Sequence, residues 1–323
     1  MNEISIYLNP RAGQGANEHW RESIEKGLFR SSLLFRTPSS IEELRENLIE
    51  DIQRQVHAVV SVGGDGTVNT LIQSLAHTNV GLLAIPGGTA NDLAGELGTK
   101  GNIKRVIQMI RLGELKRIDL LKINGRYMAT NGGLGMGAQV ARSINELRTK
   151  FPAFKKIMQI GGKSVYSMFV AKELFGPTLP RYQFKIDCEE MQWEGESSIV
   201  LVNNQPFIAG RLPVAPNTSN EDGRFNVTIF THKSRTKMVN CFYKLLQGQA
   251  LNDPEVLSFE TSKLKIAHIG GNKKLTFFGD GELFTSESES QVFEIEAAKL
   301  ALNVYTRSAE QRLEDLCNEV YLQ

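Results

Sequence analysis

The run Ser61-Val62-Gly63-Gly64-Asp65-Gly66-Thr67-Val68-Asn69 places a carboxylate and hydrogen-bonding side chains inside a glycine turn. Glycine has no Cβ, so such a backbone can approach phosphate oxygens closely, and a following helix N-terminus offers unpaired N–H groups with a favourable dipole. Asp65 carries the wrong charge to hold a phosphate directly, which assigns it to a cation, a water or the orientation of the loop. As local structure alone, the same residues make a strand-to-helix turn with Asp65 as the helix N-cap. A second turn of this build follows at Ile85-Pro86-Gly87-Gly88-Thr89-Ala90-Asn91-Asp92-Leu93. There Thr89, Asn91 and Asp92 either face a ligand or cap a helix. Late in the chain, Gly279-Asp280-Gly281-Glu282 sets two carboxylates on a third turn. Asp-Gly is also a favoured hairpin pair, here between Phe278 and Leu283.

These turns need elements to hold them. Ile4 to Leu8 reads as a buried strand, followed by the turn Asn9-Pro10-Arg11-Ala12-Gly13-Gln14-Gly15 and a helix from about Asn17. Leu33 to Arg36, Ala58 to Val62 and Gly81 to Ile85 read as further strands. Ser39-x-x-Glu42 and Ser40-x-x-Glu43 are overlapping capping boxes that open a helix carrying Ile41, Leu44, Leu48 and Ile52. Strand–helix alternation predicts a parallel sheet with helices on both faces, and puts two polar turns at one carboxyl edge, where α/β ligands bind. Near Asp119 the pattern changes. Asn124-Gly125 is a two-residue hairpin signal, and short strand-like runs follow at Phe184–Cys188, Ser198–Val202, Phe225–Phe230, Lys263–Ala267, Leu275–Phe278 and Val292–Ile295. Helical stretches interrupt them at roughly Gln139–Phe175, broken near Pro152, and Lys237–Gln247; a last helix is expected over Ala309 to Val320. The expected fold is therefore an α/β N-terminal domain with a parallel sheet over residues 1–122, completed by 302–323, and a mostly antiparallel β-rich domain over 123–301.

Composition bounds the function. With 41% hydrophobic and 23% charged residues, a packed enzyme core is expected, and 37 basic against 36 acidic residues leave a net charge of +1 that asks for no nucleic-acid partner. Cys188, Cys241 and Cys317 are far apart, which fits a reducing compartment better than a disulfide framework. No leader pattern and no run of about 18 apolar residues is present, so a cytoplasmic protein with only peripheral membrane contact is expected. The five histidines show no ligand spacing. Lys150-Phe151-Pro152-Ala153-Phe154-Lys155-Lys156 mixes bases with aromatics, either to touch an anionic membrane surface or as a solvated helix start. Gly161-Gly162-Lys163-Ser164 lacks the upstream glycine and strand of a phosphate-binding loop. Gly133-x-Gly135-x-x-Ala138 lacks an acidic residue about 20 positions on and reads as a bend from strand to helix.

Taken in order, Asn9-Pro10-x-Ala12-Gly13-x-Gly15, Gly63-Gly64-Asp65-Gly66-Thr67, Gly88-Thr89-Ala90-Asn91-Asp92 and Gly279-Asp280-Gly281-Glu282 resemble the diacylglycerol kinase catalytic family, which includes bacterial lipid kinases and sphingosine and ceramide kinases. The resemblance spans residues 9 to 282 and implies an ATP- and Mg²⁺-dependent kinase acting on a lipid hydroxyl at the inner membrane face, with the active site in an interdomain cleft. It implies that Asn9, Pro10, Arg11, Ala12, Gly13, Thr37, Gly63, Gly64, Asp65, Gly66, Thr67, Val68, Asn69 and Thr89 surround ATP. Asp280 is implied as the general base, with Glu282 beside it near the nucleotide and its metal. Asp65, Asp92 and Asp119 are implied in a carboxylate–water–metal network, and Asp222 as a Mg²⁺ ligand with the carbonyls of Ser219 and Arg224. The chain departs from the family pattern at Thr70, where Glu is common, at Gly95-Glu96, where a basic residue often follows, and in a thin glycine stretch at Ile208-Ala209-Gly210-Arg211. An NAD kinase, which shares the glycine-aspartate turn, and a catalytically weak lipid-binding regulatory relative are the alternatives. The acceptor lipid and the oligomeric state, a dimer included, are left open.

Overall fold

The computed structural model describes residues 3–9, 16–28, 31–88, 91–99, 103–150, 168–169, 172–173, 179–208, 212–247, 249, 252–270, 275–285 and 291–307. The chain divides into two compact units, Met1–Ile118 with Ala301–Gln323, and Asp119–Leu300. Pro10 to Gly13, Thr89, the basic-aromatic residues 151–156, the glycine pair at 161–162, residues 209–211 and the helix expected over 309–320 lie outside the described residues.

The first unit alternates strand and helix: β1 Glu3–Leu8, α1 Ala16–Gly27, β2 Ser32–Arg36, α2 Ile41–Gln53, β3 Ala58–Gly63, α3 Asp65–Leu75, β4 Gly81–Pro86, α4 Asp92–Glu96 and α5 Ile103–Leu112. Its strands run in the order β2-β1-β3-β4 and pair in parallel throughout. Side chains alternate across the sheet, so Ile4, Ile6, Leu8, Val60, Val62, Leu83 and Ile85 share one core with Ile24, Leu28, Val106 and Met109 of α1, its C-terminal turn and α5. The opposite residues Val59, Leu82 and Ala84 are also buried, as are Leu48 of α2 and Leu71, Ile72 and Leu75 of α3. Burial on both faces is why these strands are near-continuous apolar runs. The Ser40 cap is in place: its hydroxyl accepts the Glu43 N–H, and the Glu43 carboxylate accepts the Ser39 N–H at 2.7 Å.

β5 Glu114–Ile123 leads into the second unit and forms the Asn124-Gly125 hairpin with β6 Arg126–Met128, both turn residues having positive φ. Then come β7 Asn131–Gly135, α6 Met136–Lys150, β8 Tyr182–Asp187, β9 Gln192–Ser197, β10 Ile199–Asn203, β11 Phe207–Ile208, β12 Leu212–Pro213, β13 Phe225–Phe230, α7 Arg235–Leu246, β14 Val256–Thr261, β15 Lys263–His268, β16 Thr276–Gly279, β17 Glu282–Thr285 and β18 Val292–Thr306. One antiparallel sheet has the order β14-β13-β10-β7-β16-β17, and β15 lies between β8 and β18 in another. The core between them includes Phe184, Ile186, Val200, Val202, Phe225, Phe277 and Phe293. Leu201, on the opposite face of β10, packs instead with Met136 and Ala141 of α6 and Met238, Cys241 and Leu245 of α7. β18 serves both units: Val292 to Glu296 pair with β15, and Asn303 and Val304 pair in parallel with β4.

Candidate active site

In the first unit, the three loops after β1, β3 and β4 are joined by hydrogen bonds at the carboxyl edge of adjacent strands. Asn9 Nδ2 donates to Thr67 Oγ1 at 2.9 Å, tying the first loop to the second. Asp65 reaches the third: its Oδ2 accepts the Asn91 N–H and its Oδ1 the Asp92 N–H, each at 2.9 Å. The N-cap of α3 is Gly64, without a side-chain cap bond, so Asp65 does not cap its own helix. Its carboxylate orients the neighbouring turn. Asn91, at φ 52, clamps that turn from the other side by accepting the Gly88 N–H at 2.8 Å and donating to the Gly88 carbonyl at 2.9 Å. The two glycine turns lie backbone to backbone, with the Gly87 N–H donating to Gly63 O at 2.8 Å. A Cβ on Gly88 would stand 2.6 Å from Gly64 Cα. This arrangement places the two glycine turns side by side at the start of α3, and a helix N-terminus is where unpaired backbone N–H groups favour an anion. Asn69 is buried in α3, and Thr70 donates to the Gly66 carbonyl at 2.9 Å, so its hydroxyl serves the helix. Thr37 is exposed just after β2.

In the second unit, Asp280 and Gly281 form the two-residue turn joining β16 and β17, at φ 49 and 75. The hairpin reading of Asp280-Gly281 therefore holds for the backbone. The Asp280 side chain is buried, and it accepts the Ala129 N–H at 2.7 Å, the Thr130 N–H at 2.9 Å and the Thr130 hydroxyl at 2.5 Å. Those bonds fix the carboxylate in one orientation. Glu282 follows at an exposed position whose carboxylate is crowded by neighbouring atoms. That desolvation raises its pKa above the usual range; Arg126 opposes the shift and Asp280 adds to it. Arg126 is itself held over the Phe284 ring, 4.7 Å from its centroid.

Asp119 is committed to main-chain donors: Oδ2 accepts the Gly223 N–H and Oδ1 the Leu300 N–H, both at 2.6 Å. It thereby fixes the loop 219–224, which it also grips through its own N–H to the Asn220 carbonyl. Within that loop Asp222 Oδ1 accepts the Arg224 N–H at 2.9 Å, and Ser219 Oγ accepts the Glu221 N–H at 3.3 Å. One carboxylate with the carbonyls of Ser219 and Arg224 is an all-oxygen donor set, which fits a hard cation such as Mg²⁺.

A buried amide network, absent from the residues singled out by sequence, supports these positions. Asn204 Nδ2 donates to both Asp119 O and Ala129 O at 2.9 Å. Asn131 Oδ1 accepts the N–H groups of Asn204 and Gln205, and its Nδ2 donates to Phe207 O. The available signal was Asn203-Asn204-Gln205 closing an apolar strand, because buried amides at a strand end must find partners. The same unit holds a cavity of about 100 Å³ with an entirely apolar lining that includes Val140, Leu201, Val214, Met238, Phe242 and Phe278.

The diacylglycerol kinase catalytic domain family matches residues 3–123, and the YegS C-terminal NAD kinase beta sandwich-like domain matches residues 133–304. The chain belongs to this two-domain family. A Staphylococcus haemolyticus protein named "Putative lipid kinase" is 32% identical over 198 residues, 60% of this chain and 60% of that protein. A Staphylococcus aureus protein of the same name (strain bovine RF122 / ET3-1) is 31% identical over 207 residues, 63% and 64% of the two chains. This chain thus spans about 60% of the length of the curated relatives it matches. Among solved structures, a diacylglycerol kinase from Bacillus anthracis str. Sterne aligns with TM-score 0.70 and 19% identity over 95% of this chain and 97% of that one. Yeast NADH kinase aligns with TM-score 0.53 and 10% identity over 95% and 84%. At these identities the structures show a shared fold. No helix among the described residues is long and apolar enough to cross a membrane.

Proposed function

We propose that this chain is an ATP-dependent kinase that transfers the γ-phosphoryl group to a hydroxyl of a lipid presented at a membrane surface. The observation that carries the lipid reading is the course of one hairpin: Phe278 lines the apolar cavity, and Asp280 stands two residues on at the hairpin tip. A base and an apolar chain-binding space on one element suit a substrate with a hydroxyl head and a hydrocarbon body. Each unit supplies part of what phosphoryl transfer needs. The joined turns of the first unit offer backbone donors to the phosphates, with Asp65 holding the second turn in place. Asp280 accepts the proton of the attacking hydroxyl as the new O–P bond forms and ADP leaves. Mg²⁺ bound with the nucleotide supplies charge neutralisation on the phosphates, and Asp222 with the Ser219 and Arg224 carbonyls would hold a further ion.

The test is ADP release from Mg·ATP against diacylglycerol, sphingosine, ceramide, phosphatidylglycerol and NAD. Turnover on a lipid, reduced about 10²–10⁴-fold in a folded Asp280→Asn variant, is the expected outcome. Turnover on NAD alone would overturn the lipid reading.

A further inference from the structure

The second unit holds another group of ligand-type side chains, which the kinase reading does not use. His232 follows β13, Cys241 lies in the middle of α7, and Asp253 precedes β14. One donor atom from each lies within 4.8 Å of the others, and His232 Nε2 is 3.4 Å from Asp253 Oδ2. His232 and Cys241 are each 1% exposed. The Nε2–carboxylate contact is long and falls short of strict hydrogen-bond geometry, although the imidazole helps to lower the Asp253 carboxyl, and Nδ1 has no hydrogen-bond partner among the described residues. A buried imidazole left with one long polar contact bears a desolvation penalty that native folds ordinarily offset. The His232 ring lies alongside Phe230, with ring centroids 6.5 Å apart and planes inclined by 29°. Asp253 is anchored: its Oδ1 accepts the Glu255 N–H at 2.9 Å while Oδ2 faces the imidazole.

We propose that His232, Cys241 and Asp253 form a binding site for a borderline-soft divalent ion of the Zn²⁺ type, with water as the fourth ligand. The donor set decides the class of ion. A thiolate with imidazole and carboxylate suits Zn²⁺ and disfavours Mg²⁺ and Ca²⁺, which take oxygen ligands. Tetrahedral bonds of about 2.0–2.3 Å put neighbouring donor atoms about 3.2–3.8 Å apart. The His232–Asp253 pair already has that spacing, and closing the set requires about 1 Å of side-chain movement. Thiolate and carboxylate together neutralise a divalent charge, as a buried position demands; Lys244, whose charge reaches both Cys241 and Asp253, is the opposing group. On binding, a bond forms from Sγ to the metal and the thiol proton passes to solvent. Metal-free, burial pushes the Cys241 thiol up to about 11, so that proton is in place at neutral pH. The ion would link α7 to the ends of β13 and β14. Because Met238, Phe242 and Leu245 of α7 line the apolar cavity, it would also fix one wall of that cavity.

The site is independent of the kinase reading, and so is its test. Full-length protein stripped with a chelator is titrated with Co²⁺ and followed by optical absorption. The expected result is a thiolate-to-cobalt charge-transfer band with intense tetrahedral d–d bands, saturating at one ion per chain, releasing one proton per ion and displaced by Zn²⁺. Cys241→Ser should lose the charge-transfer band and Cys188→Ser should keep it. Asp253→Asn, at a less buried position where folding is safer, should bind about 10–100-fold more weakly. A wild-type protein without the band, a band that persists in Cys241→Ser, or unchanged affinity in Asp253→Asn would overturn the proposal.

Discussion

At the residue scale, the same side-chain type does different work according to its partners. Asp65 ties two turns together, Asp119 holds a loop and a strand through main-chain N–H groups, and Asp280 is oriented by Thr130 and Ala129. A hydrogen bond to a charged acceptor contributes about 1.5–3 kcal/mol. Asp65→Asn keeps one acceptor oxygen and turns an NH₂ group on the other donor. It should lower stability by about 1.5–3 kcal/mol in urea unfolding and weaken ATP binding by calorimetry. Cys241 gives a pH signature in the metal-free protein. Its folded-state pKa is raised by burial above the ordinary 9.0 to about 11. Below pH 9 both states hold the proton and the full stability is present. Between pH 9 and 11 only the unfolded thiol ionises, so stability falls with rising pH, by about 2–3 kcal/mol in all. Between pH 9 and 11 the wild-type unfolding free energy should fall by that amount more than the Cys241→Ala value does.

At the element scale, the site depends on how closely two strand-to-helix turns approach. A Cβ at Gly88 meets Gly64 Cα at 2.6 Å, a backbone atom that cannot swing aside, whereas a Cβ at Gly95 in α4 meets nothing within 4 Å. Gly88→Ala should therefore cost about 1–3 kcal/mol and weaken nucleotide binding. Gly95→Ala should stabilise α4 by about 0.5–1 kcal/mol. Thermal unfolding of the two variants side by side checks both signs. Element boundaries were legible where periodicity is strong, as in β1, β3, β4 and α2. β7 was not, because Asn-Gly-Gly-Leu-Gly reads as a bend, glycine being depleted in strands. Its glycines are there because a Cβ on Gly133 would meet the Val200 carbonyl at 2.1 Å in the neighbouring strand.

At the scale of the whole molecule, the first unit is discontinuous in sequence. Leu302, Val304 and Tyr305 of β18 are buried in it, the Asn303 amide donates to Thr78 O at 2.8 Å, and the His77 N–H donates to Ala301 O at 2.6 Å. Burying each large apolar side chain contributes about 1.5–3 kcal/mol, against a total domain stability of about 5–15 kcal/mol. A chain ending at Leu300 should therefore lose cooperative folding of the first unit, read as loss of amide-exchange protection in β3 and β4. The local pattern marks only Val292–Ile295 as a strand here. The run Glu294 to Lys299 is charged enough to look like an end, and Leu300 at φ 49 interrupts the alternation.

Strand–helix alternation in the first unit, the short strands of the second and the glycine turns between elements are legible in the chain alone. Periodicity, capping residues and turn chemistry are local, so they survive reading one residue at a time. The tertiary structure decided which turns meet and what each polar group does. Asp65 finds Asn91 and Asp92 across 26 and 27 residues, and Asp280 finds Thr130 across 150. His232, Cys241 and Asp253 likewise converge from a strand end, a helix and a loop, without any ligand spacing in the chain. A buried donor or acceptor must be satisfied wherever the fold brings a partner, and that placement is set by sheet order and packing, which no local pattern encodes.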